Sequence, residues 1–200
     1  DAMEQAALDR CSMVIFSSEW AARTALQHYE LDQAKVRVAP YGANIQAAPS
    51  APEVARLIAA RPVDRCRLLF MGVDWERKGG PLAIQVANEL NRQGLPTELH
   101  VVGCTPPGSP PPHVIVHGFV SKAQESGRRL IDRLLSEAHF LILPTQADCV
   151  PVVLAEANAF GVPVLTTNVG GIATVVRAGV NGYAFPPEAP ATAYAAFVKE

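Results

Sequence analysis

Three short stretches carry the residue types from which a binding or catalytic site is built. The first is Gly72-Val73-Asp74-Trp75-Glu76-Arg77-Lys78-Gly79-Gly80, with two adjacent cations between glycines. Glycines let backbone approach a ligand closely, and Arg77 with Lys78 beside a helix start suits a diphosphate. It is not a Walker loop, since Lys78 precedes Gly79 and no Ser or Thr follows. A solvated loop with a charged tip is the alternative reading. The second stretch, Pro144 to Ala157, places Asp148 before a helix and Glu156 inside it, in an otherwise apolar run. An acid in such a run is costly to bury unpaired, so a partner is expected. A carboxylate accepts two hydroxyl hydrogen bonds at once, which matches the adjacent hydroxyls of a ribose, and Asp148 suits a hydroxylated sugar. Asp148 as a helix N-cap and Glu156 as an internal salt-bridge partner are the structural alternatives. The third stretch, Asn168-Val169-Gly170-Gly171-Ile172, puts paired glycines ahead of a short helix. Free N–H groups and a positive dipole end there suit phosphate or sugar oxygens; a tight turn is the other reading.

Short apolar runs alternating with amphipathic stretches must position these loops, and that alternation predicts an α/β, doubly wound parallel sheet. A helix over 1–9, strand Ser12 to Phe16, helix Glu19 to Tyr29 capped by Ser17 or Ser18, and strand Lys35 to Ala39 form the first unit. Pro40 to Asn44 breaks the pattern, and Ala47 to Pro52 has linker composition, so a boundary is set near residue 45. A short helix over Glu53 to Ala60 follows. The second region, 62–200, reads as six strands: Cys66 to Met71, Glu98 to Val102, His113 to His117, His139 to Leu143, Val162 to Thr166 and Tyr183 to Phe185. Its helices are expected at Pro81 to Gln93, Ser126 to Ala138, Val152 to Phe160, Ile172 to Val176 and from Pro190 onward. All three candidate loops then leave carboxyl ends of strands, where open α/β sheets bind ligands.

Composition excludes several classes. The 200 residues carry 17 basic and 19 acidic side chains, a net charge of -2, so no overall field favours nucleic acid or anionic lipid. A hydrophobic fraction of 49% and a mean hydropathy of +0.13 fit strands buried on both faces. Cys11, Cys66, Cys104 and Cys149 are scattered without C-x2-C pairing, which suits a reducing, cytoplasmic setting. His113 and His117 have a helical zinc-ligand spacing but flank a strand, so no metal is expected. No apolar run approaches the ~18 to 20 residues that span a bilayer. The first residues are already in helical rhythm without an initiator Met, so the chain is expected to be a piece of a longer protein. No dinucleotide fingerprint opens either region's first strand, which argues against a dehydrogenase.

Leu69 to Gly72 through Arg77-Lys78-Gly79, Val116 to Val120, Pro144 through Glu156-Ala157, Gly161 to Leu165, Val169 to Ile172 and Asn181-Gly182 occur in an order and spacing that resembles glycosyltransferase family 4. These are retaining, metal-independent enzymes of the two-Rossmann-domain GT-B type. The resemblance implies that residues 62–200 are the Rossmann-like C-terminal, donor-binding half, that 46–61 is an interdomain linker, and that 1–45 is a remnant of the acceptor domain. It implies a nucleoside-diphosphate-sugar as substrate, no separate cofactor, and a glycan, lipid or small-molecule acceptor. Nucleic acid is not implied as a partner, and any peripheral membrane contact would fall to the absent domain. Residue by residue, it implies that Lys78 with Arg77 neutralises the diphosphate, with Gly72 and Gly79 framing that loop. Glu156 would bind the ribose hydroxyls, with Val152 opening its helix, and Asp148 would face the transferred sugar. Gly118, Phe119 and Val120 would line the nucleobase, and Gly170 and Gly171 would lie near phosphates or sugar. The chain departs from the pattern at Val73, where many members have Arg; at Asp148, one methylene shorter than Glu; at Cys149-Val150-Pro151; and at Ala173-Thr174. Two other functions fit the same residues: a nucleotide-sugar-binding module without catalysis, and another GT-B enzyme such as an epimerase or phosphorylase.

Overall fold

The computed structural model describes residues 2–200. In chain order the first elements are α1 (Ala2–Arg10), β1 (Val14–Phe16), α2 (Glu19–His28), a 3-10 turn (Gln33–Lys35), β2 (Val36–Val38) and α3 (Ala51–Ala60). There follow β3 (Cys66–Met71), α4 (Gly80–Arg92), β4 (Thr97–Val102), β5 (Val114–Gly118), α5 (Glu125–Glu137), β6 (Phe140–Leu143) and α6 (Val152–Ala159). The chain ends with β7 (Val164–Thr167), a 3-10 turn (Ile172–Thr174), β8 (Gly182–Phe185) and α7 (Ala191–Lys199). β1 and β2 make a two-stranded parallel sheet, and the other six form one parallel sheet in the order β5-β4-β3-β6-β7-β8.

That order decides where a ligand sits. The sequence runs outward one way from β3 through β4 to β5, then returns to β6 on the other side of β3 and runs outward through β7 to β8. In open α/β sheets such a reversal of strand order is the switch point at which ligands bind, here at the carboxyl ends of β3 and β6. The loops carrying Lys78 and Asp148 are the ones that flank it.

Strands buried on both faces require near-continuous apolar runs, and Leu68, Leu69, Phe70, Leu141, Ile142, Leu143, Val164 and Leu165 are all within 1% of full burial. α4 packs on α7, and an aromatic cluster docks α7 on the outer strand: Phe185 stacks on Tyr194 at 3.8 Å between ring centroids and meets Phe197 edge-on. On another side α3 meets α5. Arg61, just past α3, fixes that helix by donating to the carbonyls of Phe160 and Gly161 at 2.9 and 2.8 Å.

Local chemistry moves several boundaries from those predicted. Asp32 accepts from the Ala34 N–H at 2.8 Å and caps a 3-10 turn, so the strand predicted from Lys35 starts at Val36. Ser50 and Glu53 form a capping box that starts α3 two residues earlier than expected. The Val162 N–H turns back to the Ala157 carbonyl, so β7 begins at Val164 rather than Val162. The helix expected over Ile172 to Val176 is a 3-10 turn of three residues.

Candidate functional site at the crevice between β3 and β6

The loop after β3 is held from beneath by Trp75. Its ring packs on Phe70 at 5.4 Å between centroids and lies where a Cβ on Gly80 would stand, 2.2 Å away. Asp74 caps the next turn, accepting from the Arg77 N–H at 3.1 Å and from the Arg77 guanidinium at 3.2 Å. Gly79 takes a left-handed conformation, φ 79°, and a Cβ there would meet the Pro144 carbonyl oxygen at 2.0 Å. Only glycine lets the two loops touch at this point.

The contact joins them through a polar network. The Gln146 N–H and the Thr145 hydroxyl donate to the Arg77 carbonyl at 2.8 and 3.0 Å, and the Arg77 guanidinium donates to the Ala147 carbonyl at 2.7 Å. Lys78 Nζ donates to Asp148 Oδ2 at 2.6 Å, Thr145 Oγ1 lies 3.1 Å from the same oxygen, and Arg77 Nη1 stands 3.7 Å from it. The Lys78 and Asp148 side chains are 14% and 13% exposed, so the pair is shielded but still reached by solvent.

These contacts overturn one alternative and order the two cations. Pro151, not Asp148, occupies the N-cap of α6 and makes no side-chain cap bond, so Asp148 is an ion-pair partner and not a cap. Arg77 is held by Asp74 and the Ala147 carbonyl, which leaves Lys78 as the cation that faces Asp148 most closely.

Glu156 lies in α6 with a side chain only 2% exposed. It has the partner that its apolar surroundings demand: the ammonium of Lys122, in the loop after β5, donates to Oε1. Its other oxygen, Oε2, is buried with no hydrogen-bond partner. Glu156 and Lys122 line an open groove of about 590 Å³ together with Val152, Val153 and Tyr41 to Asn44. Sequence reasoning missed Lys122. Its signal was modest: it is the one basic residue between β5 and α5.

Gly118 closes β5 in a left-handed conformation, φ 65°, and a side chain there would meet no neighbour within 4 Å. Phe119 follows with 77% exposure, an aromatic face open to solvent, and Val120 is half-buried. Gly72 donates its N–H to the Val102 carbonyl at 2.9 Å, which brings the ends of β3 and β4 together.

Gly170 and Gly171 are explained by crowding. A Cβ on Gly170 would lie 1.9 Å from the Asp148 carbonyl oxygen, and one on Gly171 would lie 2.5 Å from Ser18 Oγ. The three-residue 3-10 turn that follows them is too short to bring the helix dipole expected there. The pair instead lets three segments converge: the loop after β6, the loop after β7 and the turn entering α2. Across this junction Cys149 Sγ lies 3.4 Å from Ser17 Oγ, and Thr174 Oγ1 hydrogen-bonds the Glu19 carboxylate and accepts from the Glu19 N–H.

The histidines stand elsewhere. His117 stacks on His100, with Nε2 3.0 Å from Nδ1, and burial lowers the affinity of both rings for a proton. Among the described residues no three His, Cys, Asp or Glu side chains gather as metal ligands, and no helix is long and apolar enough to cross a membrane.

With this geometry in place, comparison with known proteins decides the family. The family described as glycosyl transferases group 1 matches residues 65–200. The chain belongs to it. The match covers all six strands of the larger sheet, the loops bearing Lys78, Lys122 and Asp148, and the helix bearing Glu156. Relatives of this group 1 domain include the D-inositol 3-phosphate glycosyltransferases of Mycobacterium leprae and Gordonia bronchialis, 27% and 26% identical over 192 and 195 residues. Each alignment covers 90% of this chain but 43% and 42% of the relative, so the chain spans less than half the length of these relatives. Sucrose-phosphate synthase from Thermosynechococcus elongatus superposes with a TM-score of 0.69 at 25% identity, over 99% of this chain and 51% of that one. Anabaena Alr3699/HepE, solved in complex with UDP-glucose, gives 0.70 at 19% identity over 99% and 56%. The six-stranded parallel sheet is thus the Rossmann-like sheet of the GT-B architecture.

Proposed function

We propose that this chain is the donor-binding part of a retaining glycosyltransferase of family 4 that moves a sugar from a nucleoside diphosphate to an acceptor hydroxyl without a metal. The observation that carries the reading is Glu156: a buried carboxylate with one oxygen paired and the other unpartnered, in the wall of a groove at the carboxyl edge of the sheet. An unfilled acceptor there suits a ribose hydroxyl. Lys78, in the loop between β3 and α4, then meets the diphosphate, and Asp148 faces the sugar attached to it. Phe119 and the backbone around Gly118 and Val120 border the base.

In transfer, the acceptor oxygen bonds to the anomeric carbon as the bond from that carbon to the diphosphate oxygen breaks. The hydroxyl proton passes to the departing diphosphate. Negative charge grows on the leaving group, so a fixed cation beside it lowers the barrier more than it tightens the ground state. Lys78 is that cation, oriented by Asp148 before the ligand arrives. The UDP-glucose complex of Alr3699/HepE and the glycosyltransferase names of the relatives agree with a nucleotide-sugar donor.

Calorimetric titration with UDP, GDP and ADP, and then with their sugars, tests the reading. Binding of one nucleoside diphosphate that is lost in Glu156→Gln supports it, and absence of binding by all three overturns it. A second reading, a nucleotide-sugar-binding module without transfer, is favoured by the Lys78–Asp148 pair, which already occupies the cation, and by Pro151, which has no N–H to offer a sugar. Release of nucleoside diphosphate by the protein joined to its acceptor domain separates the two.

A further inference from the structure

Lys122 has no role in the reading above, yet the structure builds it into place. The loop that carries it is clamped from α5. Arg128 donates to the carbonyls of Lys122 and Ala123 at 2.8 and 3.1 Å, and Gly127 sits so close that a Cβ would lie 2.2 Å from the Ser121 carbonyl oxygen. The backbone of Lys122 is therefore fixed, and its side chain spans from the loop after β5 to α6. Its ammonium occupies Glu156 Oε1, while Oε2 on the same carboxylate stays buried and unpartnered. The Lys122 side chain is 32% exposed against 2% for Glu156, so the cation stands at the mouth of the groove and the acid on its inner wall.

We propose that Lys122 is a positioning residue for the donor ribose. By holding Oε1 it fixes the rotation of the carboxylate and leaves Oε2, buried and without a partner, as the single acceptor for one hydroxyl of a ribose diol. The inference rests on Glu156 being the ribose acceptor. A carboxylate free to rotate, or one drawn toward another donor, offers the ligand no preferred direction. A carboxylate pinned at one oxygen does, at no cost in ordering when the ligand binds. The pairing also keeps a charge in an apolar helix compatible with the fold, since a buried carboxylate stripped of its partner is strongly unfavourable. Lys122 thus acts through Glu156, and its contribution is the discrimination of ribose from a sugar lacking a hydroxyl.

The experiment compares UDP, GDP and ADP with their 2′-deoxy and 3′-deoxy counterparts by calorimetry, on wild type, Glu156→Gln, Lys122→Met, Lys122→Arg and the double variant Glu156→Gln/Lys122→Met. Wild type is expected to prefer the intact ribose by ~10-fold or more for the nucleotide it binds, the scale of one lost hydrogen bond to a charged group. Lys122→Met is expected to bring that preference close to one, and Lys122→Arg, which keeps a cation at the open mouth of the groove, to retain it. The double variant leaves no buried charge unpaired and so remains informative if Lys122→Met alone does not fold. It is expected to bind as Glu156→Gln does, because Lys122 has nothing left to position. A further ~10-fold weakening in the double variant would place Lys122 directly on the ligand and overturn the proposal, as would full discrimination in Lys122→Met or its loss in Lys122→Arg. If Glu156→Gln keeps wild-type discrimination, the ribose role of Glu156 itself is what fails.

Discussion

Replacing Asp148 by Asn tests the electrostatics of the crevice. Asp148 Oδ2 stands 2.6 Å from Lys78 Nζ, with both side chains largely shielded. A phosphate oxygen that bonds the ammonium from its other side lies ~5 Å from the carboxylate, and two like charges at that distance repel by roughly 3 kcal/mol at an effective dielectric of 20. Asn keeps an acceptor for Lys78 and for the Thr145 hydroxyl but removes the charge. Against the gain stands looser orientation of the ammonium, worth about 1 kcal/mol if one charge-assisted hydrogen bond becomes an ordinary one. The net is roughly 2 kcal/mol, so Asp148→Asn is expected to bind free nucleoside diphosphate ~10 to 50-fold tighter than wild type. Titration calorimetry at fixed ionic strength measures it, and the gain should shrink with added salt. The tighter product complex should also slow release of the nucleoside diphosphate in the full enzyme. Unchanged or weaker binding in a folded Asp148→Asn protein would refute the placement of the diphosphate at Lys78.

Three further outcomes follow from the packing. Gly170→Ala forces a Cβ to 1.9 Å from the Asp148 carbonyl at φ 53°, and should cost about 3 kcal/mol or more; a drop of only a few tenths in a urea titration would show that the loops can part. Phe185→Ala removes the ring that stacks on Tyr194, and a loss of about 3 to 5 kcal/mol in chemical denaturation is expected. His100, His117 and His139 are held below the ordinary imidazole value of 6.5 by burial, with neighbouring arginines and, for His100, the His117 ring adding to it. The unfolded chain therefore binds more protons, so stability is full above pH 6.5 and falls as the pH drops below it. Melting temperatures measured between pH 7.5 and 5 should decline, and a flat profile would count against the buried neutral rings.

Much of the fold is legible in the amino-acid order because its signals are local. Cys66 to Met71 is an apolar run interrupted only by Arg67 and stopped by Gly72, and β3 has those bounds. Gly161 follows the C-cap of α6 in a left-handed conformation, φ 64°, as glycine does at a helix end. Two of the boundaries that shifted are set by a side chain reaching two or three residues along, as Asp32 and Ser50 do, and a third by the Val162 N–H turning back to the Ala157 carbonyl. The loops of the site were legible too, since each leaves a strand's carboxyl end. Their pairings were not. Lys78 and Asp148 are 70 residues apart and meet only because β6 returns beside β3, and Lys122 and Glu156, 34 apart, meet across the sheet in the same way. Strand order is a property of the whole packed domain, and no local pattern encodes it. The glycine pair at 170 and 171 also answers to backbone crowding, a requirement its residue types did not signal.

On the proposed function, a nucleoside diphosphate lies at the carboxyl edge of the sheet between Lys78 and Glu156. A crystal structure of the protein with whichever of UDP, GDP and ADP binds most tightly tests it most directly. Diphosphate oxygens on Lys78 Nζ and a ribose hydroxyl on Glu156 Oε2 are the expected result. A nucleotide seated away from both side chains, or a Glu156 Oε2 that stays empty beneath a bound nucleotide, would contradict it.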